Sequence, residues 1–123
     1  MADVEIEGAV TEVNEGVVEE VHCIKDLDAA SDFELKHTPM IEVIEGANGQ
    51  TVKVTVGLNG LVHPQTEEHL IEWIRVFVGE EIVASADFGP GQTPEVTVDI
   101  ERDSLPVVAQ SLCNQHGIWE ARA

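Results

Sequence analysis

The sequence predicts an all-β protein, an antiparallel sandwich of about seven short strands, and three observations carry that reading. Apolar and polar residues alternate over several short stretches, the period of a half-buried strand. Turn signals rich in Gly, Pro and Asn separate those stretches at the interval expected of antiparallel all-β proteins. No segment requires a long helix.

The elements follow in order. Residues 1 to 32 carry few turn signals and much acid, and read as an N-terminal extension with a candidate strand at Val4 to Val13 and a polar stretch at Asp26 to Asp32. The remainder, 33 to 123, reads as one domain. Met40 to Glu45 is bounded by Gly46-Ala47-Asn48-Gly49, and Asn-Gly is the strongest short hairpin signal. Its partner, Thr51 to Val56, alternates strictly, so the valines face a core and Thr and Lys face water. The loop Gly57-Leu58-Asn59-Gly60 leads to His63-Pro64-Gln65-Thr66-Glu67-Glu68-His69, where Thr66 is placed to cap one helical turn. Leu70 to Val78 is rich in β-branched and aromatic types and reads as a strand, as does Ile82 to Phe88. After Gly89-Pro90-Gly91-Gln92-Thr93-Pro94, Glu95 to Ile100 alternates cleanly, and a last strand spans Val107 to Leu112, ending at Cys113. Short strands with such turns argue for a sandwich of immunoglobulin-like type.

The chain has 123 residues, enough to bury one core, and no apolar run reaches the roughly 18 residues that a membrane span needs. Its first residues lack the basic start and apolar stretch of a secretory signal, so a soluble, cytoplasmic protein is expected. In a reducing compartment Cys23 and Cys113 are expected as thiols or metal ligands, not as a disulfide. Acidic residues number 24 against six basic ones, for a formal net charge of −18. Nucleic acid and anionic membrane are therefore excluded as partners. The acid is spread over the whole chain, which suits a solvated surface at high salt; an ordinary acidic protein of a mesophile is the alternative.

Chemistry concentrates in the histidines. Of five, four lie in loops at strand ends. Cys113 and His116 stand three apart in Cys113-Asn114-Gln115-His116, within reach of one metal from a single turn, and His63 and His69 flank a Pro-initiated turn that lets the chain double back. Four imidazoles and a thiolate exceed the closed tetrahedron of structural zinc. Such a set suits iron, and five ligands leave an octahedral metal one open position. His22-Cys23 has no evident partners and reads as packed strand. Trp73 and Trp119 read as core or as packing around the ligands.

Lys36-His37-Thr38-Pro39-Met40-Ile41-Glu42, the stretch from His63 through Ile74, and Cys113-Asn114-Gln115-His116-Gly117-Ile118-Trp119-Glu120 closely resemble the three iron-binding segments of superoxide reductases, the desulfoferrodoxin and neelaredoxin group. Gly91-Gln92-Thr93-Pro94-Glu95 is also similar to a stretch of that family. The resemblance spans residues 36 to 120 in the right order. It implies one iron per chain, cycling between Fe2+ and Fe3+, with His37, His63, His69 and His116 equatorial and Cys113 axial. Superoxide would be reduced to hydrogen peroxide, with rubredoxin or a similar one-electron donor restoring the iron, and tetramers are common among single-iron members. Lys36 matches the family lysine credited with drawing in the anion. The same ligands would also serve a non-catalytic electron-transfer module, and a structural sandwich that no longer binds metal is the third reading.

Two departures stand out. Many relatives have Glu immediately before the lysine, where it reaches the sixth site of ferric iron, but here Leu35 occupies that position and Glu34 lies one residue further back. If that segment is extended, Glu34 points to the opposite face and cannot substitute. Some relatives also carry a preceding domain holding iron through four cysteines, whereas residues 1 to 36 contain only Cys23, as expected of the single-iron neelaredoxin type.

Overall fold

The computed structural model describes residues 21–58, 60–101 and 106–123, so the candidate strand at Val4 to Val13 lies outside the described residues. Eight strands are described: β1 (Val21–His22), β2 (Pro39–Glu45), β3 (Gln50–Val56), β4 (Ile71–Val78), β5 (Glu81–Asp87), β6 (Glu95–Ile100), β7 (Val107–Cys113) and β8 (Gly117–Arg122). A 3-10 turn at Leu27–Ala29 and one short α-helix, α1 (Asp32–His37), precede β2. The strands form two sheets, β1-β8-β7-β4-β5 and β2-β3-β6, and every pairing is antiparallel except that of β1 with β8.

Alternation decides the core. In β3, Val52, Val54 and Val56 are buried while Thr51, Lys53 and Thr55 face outward. In β7, Val107, Ala109, Ser111 and Cys113 all point inward, so the same period that fills the core with small residues delivers the Cys113 sulfur to the inner face. Ile71, Ile74 and Val76 of β4 complete this cluster between the sheets. Trp73 lies on the outer side of the core, half-buried under the guanidinium of Arg75 at 4.0 Å.

The turns follow their residues. Gly46 donates to the Gly49 carbonyl at 2.8 Å and closes the β2–β3 hairpin that Asn48-Gly49 predicts. At the other end of β3, Gly57 adopts φ +111°, and a Cβ there would meet the Leu61 carbonyl oxygen at 2.0 Å. Only glycine fits that position.

Four features depart from the sequence reading. Residues Asp32 to His37 are helical, where an extended segment was the premise for Glu34. Ser31 accepts from the Glu34 amide and Glu34 returns the bond to the Ser31 amide, a reciprocal cap that favours the helical turn, and Pro39 forces Thr38 into an extended conformation that ends it. A further strand, β8, follows the Cys113 turn instead of the chain ending its pairing at β7. Val21–His22 pairs with β8 in parallel, adding a short edge strand to an otherwise antiparallel sheet. Thr66 caps no helix. It bonds His69 reciprocally, the Thr66 amide donating to the His69 carbonyl at 3.0 Å and the His69 amide to Thr66 Oγ1 at 3.1 Å. Among the described residues, no helix is long and apolar enough to cross a membrane.

Candidate metal centre

One end of the sandwich gathers the start of β2, the end of β3, the start of β4 and the β7–β8 turn. His37 arrives there as the last residue of α1, His63 and His69 on the connection from β3 to β4, and Cys113 and His116 on either side of the tight turn closed by Gly117, whose φ is +85°. All five residues singled out in the sequence as a ligand set meet at this end.

Hydrogen bonds of the connecting segments fix the arrangement. The Gly57 amide donates to the Thr38 carbonyl at 3.0 Å and the Leu58 amide to the Leu35 carbonyl at 2.9 Å, tying the exit of β3 to α1. Ser111 Oγ donates to the His37 carbonyl at 3.2 Å, joining α1 to β7. Gln65 binds both backbone groups of Ile71 and so folds the His63-to-His69 segment back on itself. Asn114 accepts from the Leu70 amide at 3.0 Å and donates to the Glu68 carbonyl at 3.1 Å, clamping the Cys113 turn to the segment that carries His69. Asn114 and Gln65 both stand inside the sequence segments that carry the histidines, but their partners Leu70, Glu68 and Ile71 are visible only in the structure.

The four imidazoles form a closed square. Neighbouring ring centroids are separated by 4.6 Å (His37 to His63), 4.6 Å (His63 to His69), 5.2 Å (His69 to His116) and 4.9 Å (His116 to His37), while the diagonal from His37 to His69 is 6.2 Å. Successive rings stand at 69° to 84° to one another, like blades around an axis. Cys113 Sγ lies 3.4 Å from His63 Nε2 and 3.7 Å from His116 Nδ1, two opposite corners of the square. His116 Nδ1 is also 3.2 Å from His37 Nε2. One ligand atom each from His37, His63, His69 and Cys113 all fall within 4.8 Å of one another.

Two of the outward-facing nitrogens are already engaged. His37 Nδ1 donates to the Phe33 carbonyl at 2.6 Å and His63 Nδ1 to the Pro64 carbonyl at 2.7 Å, which leaves each Nε2 with its lone pair toward the centre. His69 Nε2 is buried and has no hydrogen-bond partner among the described residues. A buried polar atom left so costs free energy that a cation at the centre would recover, and the donor chemistry of imidazoles with a thiol fits a borderline transition metal.

A family model described as Desulfoferrodoxin matches residues 29–122. This chain belongs to the desulfoferrodoxin family. It is 43% identical over 88 residues to the desulfoferrodoxin of Nitratidesulfovibrio vulgaris, an alignment covering 72% of this chain and 63% of the relative, so it spans less than two thirds of that protein. To the neelaredoxin of Megalodesulfovibrio gigas it is 33% identical over 108 residues, covering 70% and 83%. Among solved structures, the superoxide reductase (neelaredoxin) from Archaeoglobus fulgidus in the reduced form superimposes with a TM-score of 0.66 at 31% identity, covering 77% of this chain and 92% of that one.

Electrostatics in this desulfoferrodoxin-family centre favour neutral imidazoles. Burial pushes the pKa of His63 down to about 4, outweighing the Pro64 carbonyl that raises it. Burial likewise lowers His37 and His69. The Cys113 thiol is pushed up by burial, while the amides of Gln115 and His116 aimed at its sulfur pull the other way. A cation at the centre would reverse that balance and hold the thiolate.

Aromatic rings wall the site. Phe33, unremarked in the sequence reading, sets its ring 4.5 Å from His37 and 4.8 Å from His116. Trp119 is buried, donates from Nε1 to the His116 carbonyl at 3.1 Å and lies 5.4 Å from the His37 ring. His22 packs on Trp119 at 4.9 Å as a strand residue, with Trp119 between it and His37, and Cys23 is an exposed free thiol directed at Glu120. Lys36 neighbours His37 in α1, half-buried and near enough for its charge to act on that imidazole.

Proposed function

We propose that this protein is a superoxide reductase, with His37, His63, His69, His116 and Cys113 holding a single iron and Lys36 serving the substrate anion. The observation that carries the reading is the square of imidazoles with Cys113 Sγ within 3.7 Å of two opposite corners, together with a buried His69 Nε2 that has no partner among the described residues. Family membership and the likeness to the Archaeoglobus fulgidus superoxide reductase support it. When bound, iron supplies the electron that, with two protons, converts superoxide to hydrogen peroxide, cycling between Fe2+ and Fe3+.

The chain's own residues do the rest. Neutral imidazoles offer lone pairs without losing protons, and the amides of Gln115 and His116 stabilise negative charge on the Cys113 sulfur. Phe33 and Trp119 exclude water from the sides of the ligand rings that they cover. A surface of charge −18 repels superoxide, so the Lys36 ammonium beside His37 supplies the local attraction that the anion needs. The electron spent on each superoxide is restored by a one-electron donor of the rubredoxin kind, and we infer a cytoplasmic homo-oligomer, a tetramer by likeness to single-iron members. Residues 1 to 32 are an acidic extension to the catalytic domain in this reading.

Metal analysis joined to stoichiometry tests the proposal. One iron per chain is expected, and the ferrous protein should yield one hydrogen peroxide for each superoxide consumed. One peroxide per two superoxides would mean dismutation, and no reaction at all would mean an electron carrier with the same ligands.

A further inference from the structure

Glu34 has a different task here from binding metal. Its Oε1 accepts from the Ser31 amide at 3.0 Å and from Ser31 Oγ at 3.4 Å, while the Glu34 amide donates to Ser31 Oγ at 3.2 Å. The Glu34 carbonyl accepts from the Thr38 amide at 3.2 Å and from Thr38 Oγ1 at 2.8 Å. Enclosed by the first of these sets is Phe33, whose carbonyl holds His37 Nδ1 and whose ring rests on His37 and His116.

We propose that Ser31 and Glu34 are positioning residues for His37: their reciprocal cap locks the first turn of α1, fixes the Phe33 carbonyl, and so selects the tautomer that aims His37 Nε2 at the metal. This rests on the reading of the square as a metal centre. The physical need is plain, because α1 has only six residues and is far too short to persist through its own backbone bonds. A reciprocal cap satisfies two of its free amides and stabilises the turn that carries the carbonyl. The carboxylate of Glu34 is thereby occupied at the start of the helix and is not a ligand. Leu35, buried beneath the helix, fastens the same turn to the sandwich.

Cobalt(II) titration of metal-free protein, followed by thiolate-to-cobalt and ligand-field absorption, reads the geometry without any turnover. Ser31→Ala and Glu34→Ala should each weaken cobalt binding by roughly three- to tenfold and shift the ligand-field bands, in line with the loss of a cap acting through an outer-shell partner of a ligand. Glu34→Gln, which retains an acceptor for the Ser31 amide, should restore both affinity and spectrum. Thermal unfolding of each metal-free variant identifies any that fails to fold, and Ser31→Thr then replaces Ser31→Ala as the conservative arm, expected to bind as the parent does. Unchanged cobalt binding in folded Glu34→Ala would overturn the proposal. So would a Glu34→Gln protein as defective as Glu34→Ala, since that result would make the charge, not the cap, essential. Failure of the parent protein to show thiolate-to-cobalt absorption would instead sink the metal centre itself.

Discussion

At the scale of single residues, the site depends on chemistry that a side chain carries wherever the fold places it. Cys113→Ser leaves the volume almost unchanged but supplies a hydroxyl that stays protonated, so the thiolate-to-iron absorption should vanish and reductase activity should fall at least about tenfold. Persistence of that band in the variant would remove Cys113 from the ligand set. Lys36→Ala should slow the reaction with superoxide by roughly tenfold at low salt, and the gap from the parent should narrow as salt screens the ammonium. A variant whose rate equals the parent's at all ionic strengths would deny Lys36 its role. The imidazoles predict the behaviour of the metal-free protein in acid. The folded-state pKa of His63 is depressed to about 4 from 6.5, so the unfolded chain takes up the proton first as pH falls. Stability contributed by neutral His63 is therefore complete above pH 6.5 and lost as pH drops toward 4, and His37 and His69 act in the same direction. Urea midpoints of the metal-free protein across that window should decline; a flat profile would contradict the burial of His63.

At the scale of elements, loops carry the ligands while the strands hold the loops. Gly57 is the sharpest case, since φ +111° and a carbonyl oxygen 2.0 Å from the would-be Cβ combine strain with collision. Gly57→Ala should destabilise the protein by roughly 3 kcal/mol. Gly60, at φ +80° with open space around it, provides the control, and Gly60→Ala should cost only about 1 kcal/mol. Equal losses in urea unfolding would show that close backbone approach at Gly57 is unimportant. The same elements show why α1 escaped the sequence reading. Ser31-Asp32-Phe33-Glu34 spells a capping box, but the run after it ends within a turn at Thr38-Pro39, too short for helical periodicity to register. β8 was obscured because Gly117 to Arg122 mixes Trp, Glu and Arg without clean alternation, and its pairing with β7 supplies what local pattern does not.

At the scale of the whole molecule, charge dominates. With −18 on 123 residues, self-repulsion opposes the compact state, and raising salt from about 0.1 M to 1 M shortens the screening length from about 10 Å to 3 Å. The melting temperature should rise over that range; a fall would mean that attractive surface pairs outweigh the repulsion. What the sequence by itself determined is everything that repeats locally or is written in residue type: the strand period, the Asn48-Gly49 hairpin, and the identity of the histidines and cysteine. Tertiary structure alone decided what depends on residues far apart in the chain. The square of rings, the clamp of Asn114 on the Leu70 segment and the aromatic walls that Phe33 sets against His116 and Trp119 against His37 exist only once two sheets pack. No period or spacing encodes those contacts, because each is fixed by packing between strands and by buried polar groups finding partners when water is excluded.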